Sequence, residues 1–229
     1  MMFTWIATFH HDGAVSDGDL QRLRPWLAAT PGVARGLIYT PAQTRDPYLD
    51  DGRPPALTLQ LYFADIAALE DALGHGGPLQ ALAAPAALES LRGAAVTQQA
   101  MLARAFPVPD AGTPAEPRCA YLVTYEGAAE DLNAFTAHYV ASHTAVMARF
   151  PGIREIEVCT RLDWCGVLSW PRANAMLRNK VVFDDPAALT AALNSPVRHE
   201  MREDYREFPP FSGAVTHFPM RALEVACGG

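Results

Sequence analysis

Lysine is nearly missing from this sequence: among its 229 residues, Lys180 stands alone. A Schiff-base mechanism would have to run through that one side chain; its position on a strand reads as a surface or edge charge. Basic residues are short overall. Eighteen Lys and Arg against 25 Asp and Glu leave a net charge of -7, and no basic stripe with interleaved aromatics occurs. Nucleic acid and anionic membrane are therefore poor partners. No apolar run reaches the ~18 residues that cross a bilayer. The opening MMFTWIATFHHDG lacks the charged start, apolar core and cleavage site of a secretory signal. The four cysteines, Cys119, Cys159, Cys165 and Cys227, show no C-x-x-C spacing. They read as reduced thiols of a cytoplasmic protein, with Cys159 and Cys165 flanking a loop as the one candidate redox pair. No P-loop, GxGxxG or GxSxG is present, so neither a nucleotide cofactor nor a serine nucleophile elbow is indicated.

What is present is an ordinary globular mix, half apolar and 19% charged, written twice. TPGVARGLIYT (Thr30–Thr40) matches FPGIREIEVCT (Phe150–Thr160), and LTLQLYFADIAALEDAL (Leu57–Leu73) matches LRNKVVFDDPAALTAAL (Leu177–Leu193), both at an offset of 120 residues. A weaker match, AAVTQQAMLARAF to GAVTHFPMRALEV, follows at an offset of 119. The proline-rich PVPDAGTPAEP between them marks a linker. The expected organisation is repeat 1 over residues 1–106, linker 107–117 and repeat 2 over 118–229. In the second copy, β-formers open a strand at CAYLVTYE and a helix runs from Glu130 to Phe150. Strands follow at Ile153–Thr160 and Leu177–Phe183, then a helix from Pro186 broken at Pro196, then a strand at Ala214–Leu223. The order β-α-β-β-α-β is the ferredoxin-like unit. Its second sheet face needs cover. The expectation is an α+β fold of two tandem ferredoxin-like repeats packed sheet to sheet as a pseudo-dimeric α/β barrel within one chain.

The helix AHYVASHTAVMARF raises the functional question. A buried stripe through Leu132, Phe135, Tyr139, His143, Val146 and Phe150 steps by threes and fours. Tyr139 and His143 are then neighbours on the apolar face, while His138 lies round the helix. His138 and His143, five apart, lack the spacing of a helical metal pair, and no metal site is expected. The first copy acts as an internal control: the offset sets Leu23 opposite His143 and Leu27 opposite Met147. The fold does not need the histidine. An unpaired buried polar group costs ~1–3 kcal/mol, so His143 is either a core histidine bonded to a neighbour or the lining of a pocket.

Other candidates are weaker. The long connection RLDWCGVLSWPRANA carries Trp164 and Trp170; they either wall a ligand pocket or seal the seam between the copies. Asp163, beside them, either orients a histidine or is a solvated loop charge. His217, in VTHFP opposite Gln98 of the first copy, shares a pocket with His143 if it points to the same side of the sheet. His199 falls off the stripe of its helix and pairs with Glu203 at four residues as a surface ion pair. His10 and His11 end the first strand with one side chain on each face.

HYVASHTAVMARFPGI, followed by a strand, resembles the EthD-type branch of the dimeric α/β-barrel superfamily: an aromatic (Tyr139), a histidine (His143), apolar residues, then Pro151-Gly152. The resemblance covers roughly Ala120–Val225. The first copy keeps only the Pro-Gly and strand pattern, which implies one pocket per chain, in the second copy. The resemblance implies cofactor-free acid–base chemistry (lyase, isomerase or monooxygenase) on a small hydrophobic, aromatic or polyketide-like molecule. It casts His143 as base or acid and Tyr139 as the group that holds the substrate oxygen. Trp164, Trp170, Asp163 and His217 become the substrate-binding candidates, and a homo-oligomer is conceivable. Two other readings stay open: a haem protein of chlorite dismutase-like architecture with His143 or His199 as axial ligand, and a binding protein without chemistry.

Overall fold

Four helices begin on the same local device. Ser16, Asp65, Asp131 and Asp185 each sit in extended backbone and accept a hydrogen bond from the main-chain N–H three residues on. Each side chain satisfies a donor that the first helical turn would leave orphaned. Gly32 and Gly152 follow the first helix of each half with φ of +78° and +75°, the left-handed region that glycine enters without a Cβ clash.

The computed structural model describes residues 1–44, 46–84, 86–112 and 116–227; positions 113–115 of the expected linker lie outside them. The elements run β1 (Met2–His10), α1 (Asp17–Ala28), β2 (Arg35–Pro41), β3 (Leu57–Phe63), α2 (Ile66–Leu73), two 3-10 turns (Pro78–Ala83, Glu89–Leu91) and β4 (Ala95–Phe106). They continue β5 (Arg118–Tyr125), α3 (Leu132–His138), a π-helical turn (Tyr139–His143), α4 (Thr144–Met147), β6 (Glu155–Arg161), β7 (Leu177–Phe183), α5 (Pro186–Leu193), α6 (Pro196–Arg206) and β8 (Val215–Ala226). β2 and β6, β3 and β7, and α2 and α5 are each displaced by 120 residues.

The eight strands close into one antiparallel barrel, β1-β3-β2-β8-β5-β7-β6-β4. Within it β4-β1-β3-β2 and β8-β5-β7-β6 are the two halves. They meet at two seams, β2 with β8 and β4 with β6, the latter pairing Met101–Phe106 with Ile156–Arg161. A strand has two faces, and closure buries both. Trp5, Ala7 and Phe9 of β1 pack under the first-half helices, Tyr121, Val123 and Tyr125 of β5 under the second-half helices, and Ile6, Tyr62, Met101 and Met220 point into the lumen.

Closure corrects the reading of Lys180 as a surface or edge charge. Its side chain is 2% exposed, because the second face of β7 is the barrel interior. Nζ donates to the Tyr62 hydroxyl at 2.7 Å and meets Glu155 at 3.0 Å and Glu157 at 3.5 Å. Tyr62 and Gln60 both donate to Glu157, at 2.9 and 2.8 Å, and Tyr39 donates to Gln60 at 2.9 Å. Burial alone would raise the Glu155 carboxyl; Lys180 and Arg35 beside it prevail and hold it at about 2. The network joins strands of both halves. Lys180→Met strands two carboxylates beside an apolar side chain and is expected to cost ~3–5 kcal/mol in urea denaturation. Lys180→Met with Glu157→Gln recovers part of it, as a double-mutant cycle would read.

Candidate functional site

The helix that carries His143 is not regular. Tyr139–His143 forms a π turn between α3 and α4. One inserted residue moves the face that follows: Met147 is buried and Val146 only partly. Leu132, expected at the head of the buried stripe, stands before the turn at the first residue of α3 and is 38% exposed. The widened turn also brings His138 and His143, five apart, to the same carboxylate. His143 Nδ1 lies 2.6 Å from Asp204 and His138 Nε2 lies 3.5 Å from it. Ser142 donates to Asp204 as well. The His143 ring is fixed between Tyr139 and Phe208, each with centroids 4.8 Å away. Burial pushes the imidazole pKa below 6.5, and Asp204 only partly offsets it. The ring is therefore neutral at pH 7, with Nδ1–H donated to Asp204. Burial also acts on Asp204, but the bonds from His143 and Ser142 prevail and keep it ionised. Nε2 makes no hydrogen bond among the described residues.

His143 borders a cavity of about 510 Å³ between the second-half sheet and helices. The apolar wall includes Val123, Met147, Phe150, Val181 and Leu193. α6 supplies Arg198, Met201, Arg202 and Tyr205, whose spacing is one helix face. Among the described residues the matching place in the first half carries no such helix; 3-10 turns stand there, and their Leu79, Leu82 and Leu91 are buried in the first-half core.

The cavity is roofed from the opposite half. The loop after β2, of which residues 42–44 and 46–56 are described, crosses to it. Asp46 accepts from the Tyr121 hydroxyl at 2.7 Å and from Arg198 at 2.8 and 3.1 Å. Tyr48 meets His199 Nε2 at 3.1 Å, and Asp51 takes the main-chain N–H and Nδ1 of His217, both at 2.8 Å. His217 shares the cavity with His143, which answers the question of its face. The loop after β6 makes the reciprocal crossing. Trp170 stacks on Trp5 and abuts Phe9, with centroids at 6.3 and 5.4 Å, and Gln98 of β4 donates to the carbonyls of Leu168 and Trp170 at 3.1 and 2.9 Å. Gln98 and His217 thus do the same job, each pinning the loop that arrives from the other half.

Several expected site residues stand elsewhere. Trp164 and Trp170 pack on the first-half core, with Arg172 over the Trp164 ring at 3.9 Å; they seal the seam rather than wall the cavity. Asp163 is exposed, and the carboxylates that meet histidines are Asp204 and Asp51. Tyr139 is fully buried behind the wall, where Asn179 donates to its hydroxyl; Asn179, not Tyr139, reaches the cavity. His199 pairs with Tyr48, because Glu203 turns to Arg206 at 2.7 Å. Among the described residues no group of three or more His, Cys, Asp or Glu is arranged to hold a metal. Asp204 and Asp51 carried no local signal. The 42–56 loop did: it is as long as the one that drew attention to Trp164.

No protein-family model matches the chain, and no curated protein matches it in sequence. Solved structures do. An anthrone oxidase-like protein superposes with a TM-score of 0.65 at 11% identity, covering 100% of this chain and 94% of that one. The architecture is that of the dimeric α/β barrels. A candidate monooxygenase from Fusobacterium nucleatum gives 0.60 at 8% identity, covering 100% and 94%. A chlorite dismutase variant from Candidatus Nitrospira defluvii gives 0.54 at 12%, covering 96% and 90%. At such identities the likeness is one of fold. Among the described residues no helix is long and apolar enough to cross a membrane.

Burial lowers the pKa of His217 as it does that of His143. Just below pH 6.5 the unfolded chain then binds more protons than the folded one. The stability these two rings confer is complete above 6.5 and is lost as pH falls through the window below it. The depressed Asp204 and Glu155 act only below their ordinary values of 3.8 and 4.5. Urea midpoints are expected to be flat between about pH 7 and 8 and to fall as pH drops below about 6.5. His143→Leu, the residue found at Leu23, is expected to fold and to shrink that fall.

Proposed function

We propose that the chain is a cofactor-independent enzyme that takes a proton from a small hydrophobic, aromatic or polyketide-like molecule, with His143 Nε2 as the base. One observation carries the reading. A neutral imidazole, held at Nδ1 by an ionised carboxylate, leaves its other nitrogen free beside a largely apolar cavity of about 510 Å³. Such a ring accepts a proton near neutral pH, and Asp204 stabilises the imidazolium as it forms. The charge left on the substrate, a phenolate or enolate, needs a partner. Arg202, which lines the cavity over the Tyr48 ring at 4.5 Å and forms no ion pair among the described residues, is suited to it. Tyr139 takes a supporting role through Asn179. An enolate so formed is the common starting point for loss of a leaving group, a double-bond shift or reaction with oxygen. The named neighbours, anthrone oxidase-like and candidate monooxygenase, favour the last. In this reading the chain is an EthD-like ferredoxin unit (118–229) fused through the 107–117 linker to a first unit (1–106) that has lost the pocket and supplies its roof.

Turnover of phenolic and enolisable substrates tests it. His143→Ala is expected to keep the circular dichroism spectrum and lose about 10²–10⁴-fold in kcat/KM; normal turnover would refute the assignment. Because burial lowers the His143 pKa, the acid limb of kcat/KM should lie below pH 6.5. In Asp204→Asn the carboxylate that offsets burial is gone, so the limb moves further down and kcat drops.

A second reading rests on the same geometry. An imidazole whose Nδ1–H is held by a carboxylate is also how metal-ligating histidines are oriented; were haem bound, His143 Nε2 would hold the iron and Arg202, which forms no ion pair among the described residues, would supply a cation for an acid group. A sharp Soret band at one haemin per chain, lost in His143→Ala, would favour it. A featureless titration removes it.

A further inference from the structure

The barrel lumen holds a second cavity, of about 610 Å³, on the other side of the sheet from His143. Every strand except β2 contributes to its wall. The wall carries polar side chains where a packed barrel core would have apolar ones. Thr8, Thr58, Thr97, Thr124 and Thr216 line it, and none of their hydroxyls bonds to protein among the described residues. Arg178 of β7 lies between Thr124 of β5 and Cys159 of β6 in the sheet register. Its guanidinium forms no hydrogen bond or ion pair among the described residues, and Nε is sealed from solvent with no partner.

Arg178 is half-buried, and a guanidinium nitrogen sealed from water without a partner is costly. The neighbouring carboxylates are otherwise engaged: Glu157 with Lys180, Gln60 and Tyr62, and Asp51 with His217. Glu126 stands exposed at the mouth and makes no bond to Arg178. Of the cations, Lys180 is held by Glu155 and Glu157, and Arg53 by Asp12 at 2.7 Å. Arg178 is thus an anion-binding group without an anion, ringed by free hydroxyls, in a space of small-ligand size.

We propose that the polar end of the barrel lumen is a second binding site, for a small carboxylate-bearing molecule anchored by the guanidinium of Arg178. The threonine hydroxyls take the rest of its polar groups. The site opens on the other face of the sheet from His143; Val123 and Asn179 border both cavities, and Asp51, which lines the lumen, holds His217 of the first.

Titration calorimetry of the full chain with succinate, inorganic phosphate and, as a neutral control, glycerol tests the site. Succinate, with a second hydrogen-bonding end for the threonines, is expected to bind one to one and tighter than phosphate; glycerol gives no heat. Arg178→Met should weaken succinate at least about tenfold. Because it removes an unpaired charge, it should also raise the Tm of the ligand-free protein. Thr97→Val, nearly isosteric, should weaken succinate by a few fold, and His143→Ala should leave its affinity unchanged, which separates this site from the catalytic reading. Succinate affinity unchanged in Arg178→Met, or in Thr97→Val should the first variant not fold, would overturn the proposal. So would phosphate binding tighter than succinate, or no heat from either anion.

Discussion

Two hydrogen-bonded seams, β2 with β8 and β4 with β6, carry the molecule. An antiparallel sheet of four strands has an edge on each side and an uncovered apolar face. Joining two such sheets at both edges removes every edge and turns the uncovered faces into an interior. It also decides where the long loops go. A loop leaving β2 next to the seam lies over the other half, and so does the loop leaving β6. The roof of the His143 cavity is therefore made by residues more than seventy positions away in sequence, and it exists only while both seams are closed.

The exchange of loops is symmetric in path and asymmetric in content. The loop that reaches the first half brings Trp164 and Trp170 and leaves no room. The loop that reaches the second half brings Asp46, Tyr48, Leu49 and Asp51, whose polar ends tie to Tyr121, Arg198, His199 and His217 and hold the roof off the floor. α6 adds Asp204 and a row of arginines on one side only. A cavity, a carboxylate and a histidine thus coincide in one half of a nearly two-fold frame. The polar outlay is large: Asp46, Asp204 and His143 are almost wholly buried. A chain selected for stability alone would set leucine at position 143, as it does at Leu23.

Strands and helices were legible because their signals are local: period-two alternation, a three-and-four apolar stripe and Gly after a helix, with Gly32 and Gly152 standing 120 residues apart. His143 was legible because the first half supplied a control. Three things were not. The π turn cannot be read from a 3.6-residue period, so Val146 was set on the stripe where Met147 is the buried residue, while Phe150 beyond it is buried as expected. Lys180 was misread because alternation in LRNKVVF separates two faces without saying that both are inside. Asp204 and Asp51 meet their histidines across 61 and 166 positions, and no local pattern announces such a meeting. Tyr139 was placed on the buried face of the helix, but that its hydroxyl meets Asn179 rather than the cavity follows from a contact 40 positions away.

All of this converges on the protonation of one ring. The most direct measurement is the pair of imidazole ¹⁵N chemical shifts of His143 at neutral pH. The account predicts a neutral ring with Nδ1 protonated, its proton shared with Asp204, and Nε2 bare toward the cavity. A ring protonated at Nε2 and bare at Nδ1, or a doubly protonated imidazolium, would contradict it, because the nitrogen that faces the cavity would then have no lone pair to accept a proton.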